Sequence, residues 1–175
     1  MFAFIFIMVL MFFTLWLEVM LGAYGFWIPL CSYLVFYVSV TWSRQTGIAV
    51  ALTLGACMDM LYFRENMYSA TLLLIAVPAA VVWLVKADDK AWWMRVVFGI
   101  FLGGAWVVPQ ALYNSFHLGW TPGHDLLFRN AMTSVFAIIF SGALLPVYIA
   151  WVDSMSERLG IARFDKAREQ IIHGR

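Results

Sequence analysis

The chain has 175 residues, 64% of them hydrophobic and only 12% charged, more apolar surface than a 20 kDa globule can bury, which assigns it to a lipid bilayer. A mean hydropathy of +0.86 agrees. The net charge of +1, with no basic stripe before the C-terminal stretch, argues against nucleic acid as a partner.

A helix needs roughly 17 to 25 mostly apolar residues to cross about 30 Å of hydrocarbon. Six segments qualify, at about 2–21, 26–42, 47–63, 68–85, 92–115 and 130–152, so an all-α polytopic protein is expected. The first, opening "MFAFIFIMVLMFFTLWL", lacks the basic start and small-residue cleavage site of a signal peptide and is read as a mature membrane helix. Glu18 lies near its end, before the break "GAYG". The second segment carries Pro29, Cys31 and Tyr37 and ends at "SRQT". Cys31 and Cys57 both fall within apolar runs, without CxxC or His/Cys ligand spacing, and read as small hydrophobes.

In the third segment Gly47, Ala51, Gly55 and Asp59 follow one another at four-residue intervals. They form a stripe of small side chains, suited to the close approach of another helix, that ends in a carboxylate. An ionised Asp at mid-bilayer costs roughly 2.5–3.5 kcal/mol on insertion scales, so Asp59 is expected to face protein. Arg64 sits roughly 140° around the helix from Asp59, a poor position for a partner. Amides and hydroxyls of the fifth and sixth segments match its depth better.

The fifth segment offers a second close-approach face at Gly99 and Gly103, then Pro109, with Gln110 and Asn114 one turn apart. "FHLGWTPGHDLLFR" reads as an exposed loop. Asn130 and Ser134, again one turn apart, open the sixth segment, and Pro109 and Pro146 are expected to kink their helices. Glu18, Asp59, Gln110, Asn114, Asn130 and Ser134 thus share one depth, either as a polar core or as ordinary interhelical hydrogen bonding. Residues 1–152 form the membrane domain, and 153–175 a basic amphipathic tail with Arg158, Arg163, Lys166 and Arg168. That tail either lies on an anionic inner leaflet or a cytoplasmic protein, or is simply solvated.

Orientation follows from charge. With both termini inside, the inner side holds Arg44, Lys86, Lys90, Arg95, Arg158, Arg163, Lys166, Arg168 and Arg175, nine basic residues against Arg64 and Arg129 outside. Trp42, Trp83, Trp92, Trp93 and Trp151 fall at inner boundaries and Trp16, Trp27 and Trp120 at outer ones, with only Trp106 mid-span, which agrees. No phosphate loop, HExxH, GxSxG or paired intramembrane aspartates are present, and His117, His124 and Asp125 make a weak metal set. No enzyme, metal or cofactor is expected.

Six short-looped spans, Pro29 with Tyr37, then Gly47, Gly55 and Asp59, and Pro146 before a charged tail resemble the MreD family of rod-shape-determining membrane proteins over most of residues 25–160. Where that family has a Gly-containing link after the Asp, this chain has "LYFRENMYSA". The resemblance implies a non-catalytic inner-membrane scaffold of the bacterial elongation machinery, partnered by a bitopic MreC-like protein, through it by RodA and a class B penicillin-binding transpeptidase, and on the inside by the MreB filament. It also implies a fold similar to the substrate-capture subunits of energy-coupling-factor (ECF) transporters. The alternative function is that of such a subunit, taking a small molecule from outside.

Overall fold

A computed structural model describes the backbone of residues 2–62, 67–86, 92–117, 124–161 and 164, and their side chains except those of 2, 86, 113–117 and 124–130. Among the described residues there are seven helices and no strand: α1 (Phe2–Ala23), α2 (Leu30–Thr41), α3 (Arg44–Leu61), α4 (Tyr68–Leu74), α5 (Ala76–Lys86), α6 (Trp92–His117) and α7 (His124–Arg158). Four stretches are long and apolar enough to cross a membrane, Ala3–Ala23, Tyr68–Val85, Trp92–Leu112 and Ala131–Arg158, as befits a membrane protein.

The bundle is organised around α2. Its sequence "LCSYLVFYVSVT" is apolar on every side, and every residue from Leu30 to Val40 is buried. Four of its hydroxyls find partners inside protein, among them Ser39 Oγ, which donates to the Val35 carbonyl at 2.7 Å, and Tyr33 OH, which donates to the Ser141 carbonyl of α7 at 3.0 Å. At 12 residues α2 is about 18 Å long, shorter than the expected segment because residues 26–29 are not helical.

Helix ends follow local chemistry. Gly25, at φ +85°, closes α1, with the Phe26 N–H donating to the Leu21 carbonyl at 2.9 Å and the Gly25 N–H to the Gly22 carbonyl at 3.0 Å. This double bond pattern satisfies two carbonyls that a helix end otherwise leaves open. Gly160 does the same for α7, with Ile161 N–H on the Ser156 carbonyl at 2.9 Å. Ser43 starts α3 by accepting the Thr46 N–H at 3.1 Å, so "SRQT" is a cap and not a wide break.

Two expectations are revised. The fourth segment divides at Ile75 into α4 and α5, because Pro78 has no N–H for the Leu74 carbonyl and its ring crowds that carbonyl. Helices α6 and α7 extend into the expected outer loop, taking 116–117 and 124–129 as helical backbone, and 118–123 lie outside the described residues. Pro109 and Pro146 lie within α6 and α7, whose helical backbone continues on both sides of each.

Candidate functional site

Asp59 is 4% exposed near the C-terminus of α3. Its two oxygens both accept the Ser69 N–H, at 3.0 and 3.2 Å. Ser69 is the second residue of α4, and Met67, at the cap position, makes no side-chain cap bond. The first turn of a helix has no internal partners for its N–H groups, and a carboxylate there also meets the positive end of the helix dipole. Asp59 therefore caps α4 from the preceding helix. Its partner is a backbone amide ten residues along the chain, in place of the amides and hydroxyls expected from the fifth and sixth segments.

Glu18 repeats the arrangement. It is 5% exposed near the end of α1, and its Oε2 accepts the N–H of Cys31, the second residue of α2, at 2.6 Å. Pro29, at that cap position, has no side-chain cap bond either. Each of these acids thus starts the helix that follows its own. The two lie at one end of the bundle, hereafter the acid end, where the C-termini of α1 and α3 meet the N-termini of α2 and α4. Glu18 differs in one respect: among the described residues its Oε1 is buried without a partner.

A third carboxylate works at the opposite end, where neither motif nor spacing marks it. Asp153 Oδ1 accepts Tyr37 OH from α2 at 2.6 Å and the Phe164 N–H at 2.9 Å. Gly160 turns the chain back after α7, and Phe164, 2% exposed, inserts beside Phe36, Tyr37 and Trp83. Arg95 lies over the Phe164 ring, 5.9 Å from its centroid. Part of the expected tail is thereby core. Thr14 and Tyr148, hydroxyl to hydroxyl at 3.1 Å, tie α1 to α7 as well. The legible trace of these contacts in the sequence is the helical spacing of Ser141, Tyr148, Val152 and Ser156, all buried on one face of α7.

The small-residue faces are occupied by the chain itself. A Cβ on Gly47 would collide with Ser39 of α2, and one on Gly55 with the backbone and side chain of Ala70 in α4. Ala51, between them, is fully buried. Gly99 and Gly103 seat α6 on α7: a Cβ on Gly99 would lie 2.6 Å from the Ser141 carbonyl oxygen, and one on Gly103 2.6 Å from Ser141 Cβ. The stripe drawn for a partner helix thus receives α2 and α4.

Of the remaining expected residues, Gln110 is 8% exposed on α6 at the acid end, near Glu18, and Ser134 is half-buried on α7. Asn114 and Asn130 lie on α6 and α7, with side chains outside the described residues. Arg158 is exposed in the last turn of α7, whereas Arg163, Lys166 and Arg168 are outside the described residues. Cys31 and Cys57 are free thiols. No group of three or more His, Cys, Asp or Glu able to hold a metal occurs among the described residues.

No family model, no curated protein and no solved structure matches the chain.

Proposed function

We propose that the protein is a non-catalytic, multi-pass scaffold of a bacterial inner membrane, similar in role to MreD, crossing the bilayer six times with both termini inside. The observation that carries this reading is the use made of the residues behind the resemblance. Asp59 starts α4, Tyr37 ties α2 to Asp153 of α7, and Gly47 and Gly55 seat α2 and α4. The shared pattern is therefore the pattern of a tightly held helical block, and such a block in lipid acts through its outer faces. In six spans, α4 and α5 count as one and α2 is completed by residues 26–29, of which Ile28 and Pro29 are buried and Phe26 is exposed.

The face proposed for an MreC-type partner is the groove between α1 and α7. It has a volume of about 490 Å³ and is lined by Phe6, Val9, Phe13 and Trp151, with Arg158 at its α7 end. Close packing in an apolar groove is the main force available between helices in lipid. Co-purification from native membranes tests the assignment. A bitopic protein accompanied by wall-synthesis enzymes is expected, with recovery falling several-fold in a Phe13→Ala, Trp151→Ala double variant. Recovery of paired ABC-type ATPases instead would overturn it in favour of a transporter's capture subunit.

A further inference from the structure

At the acid end a cavity of about 340 Å³ lies between the end of α1, the α1–α2 connection, the end of α3 and the middle of α6. Sites for small molecules typically run from about 300 to 1,000 Å³. Its walls carry the Glu18 carboxylate and the Gln110 amide, with Phe26, Trp27, Tyr62 and Trp106 around them. No lysine or arginine is among the described lining residues. Glu18 spends Oε2 on the Cys31 N–H, and Oε1 is buried with no partner among the described residues. A buried acceptor without a donor is unfavourable, and more so when charged. The terminal torsion of a glutamate is soft, so a small rotation presents Oε1 to an incoming donor.

We propose that this cavity binds a primary ammonium group carried on a small apolar body. The ammonium N–H donates to Glu18 Oε1, a second N–H donates to the Gln110 carbonyl oxygen, and the aromatic rings attract the cation and bury the attached carbons. A quaternary ammonium has no N–H for Oε1 and binds less well; a neutral alcohol lacks the charge. Two sources supply this chemistry, a soluble amine and the headgroup of phosphatidylethanolamine. The proposal goes beyond the scaffold reading and does not rest on it.

Thermal unfolding of the purified full-length protein in detergent, titrated with phenethylamine hydrochloride, tests it, since a ligand of the folded state raises the midpoint. The amine is expected to raise the midpoint by several degrees, with an apparent affinity at least tenfold above that of the trimethylammonium analogue and of phenethyl alcohol. Glu18→Gln, and Trp106→Leu, which leaves the Cys31 contact intact, should each weaken it at least tenfold. In nanodiscs of phosphatidylethanolamine or phosphatidylcholine, retention of the former alone, lost in Glu18→Gln, assigns the lipid headgroup. A response to the soluble amine without lipid retention assigns a free amine. The proposal is overturned if neither source binds, if the quaternary and primary amines bind alike, or if both folded variants bind as the wild type does.

Discussion

The starts of α2 and α4 are built to one plan and finished differently. In each, a carboxylate near the end of the preceding helix accepts the N–H of the second helical residue, across a link whose cap position carries no side-chain cap. At α4 both Asp59 oxygens converge on Ser69; at α2 Glu18 commits one oxygen and holds the other buried beside a cavity, with no partner among the described residues. The closed version is a structural fastening. The open version fastens and retains a free acceptor, and that is the difference between an acid that shapes the fold and one able to meet a ligand.

The largest expected effect comes from removing the close approach on which the α4 fastening depends. Gly55→Val would drive side-chain carbons into Ala70 and push α4 away from α3, lifting Ser69 off Asp59. Overpacking of this kind costs on the order of 3 kcal/mol. The SDS-induced unfolding midpoint in mixed micelles should fall sharply. A near wild-type midpoint would mean that α4 is not held against α3 by the Gly55 contact.

The amide variants separate the two acids more finely. Asp59→Asn replaces one of two oxygens that face the Ser69 N–H with an NH₂ group, setting donor against donor, and should cost about 1–2 kcal/mol. Glu18→Gln can place its NH₂ where Oε1 has no partner among the described residues and keep an oxygen on Cys31, losing only the charge assistance, about 1 kcal/mol or less. The same unfolding assay should therefore rank the Asp59→Asn variant below the Glu18→Gln variant in stability. Equal losses would erase the distinction between the closed and open sites.

Much of this architecture was legible from residue spacing, and the limits are instructive. Long apolar runs announced the helices, and counting depth put Glu18, Asp59, Gln110, Asn114, Asn130 and Ser134 at one level; of these, Glu18 and Gln110 line one cavity. The glycine spacing announced close approach, because a missing side chain is visible in sequence. Which helix approaches is not visible, and here α2 and α4 fill the stripe. Asp59 faces protein, yet its partner is a backbone N–H, which every residue but proline possesses and no sequence pattern singles out. A usable signal did exist: Pro29 and Met67 supply no cap, and an acid precedes each uncapped start, separated from the N–H it accepts by 13 and 10 residues. Asp153 gave no such sign, since its role depends on Gly160 folding Phe164 back into the bundle.

The links themselves complete the comparison and yield the smallest effect. The α1–α2 link takes its left-handed residue as Gly25, at φ +85°, whereas the α3–α4 link places Met67 there, at φ 44° and ψ 36°. An L side chain in that region brings Cβ against the following carbonyl, at roughly 1–2 kcal/mol. Met67 is 62% exposed, so its side chain returns little in burial. Replacing it with glycine removes the strain but gives the unfolded chain more freedom, which offsets roughly 0.5–1 kcal/mol of the gain. Met67→Gly should therefore raise stability by about 0.5 kcal/mol, while Gly25→Ala, which runs the same exchange in reverse, should lower it by about as much. Opposite signs in the two links are the discriminating result. A loss on Met67→Gly would mean that the methionine side chain contributes more to the start of α4 than its exposure allows, and the two links would then be alike in outline only.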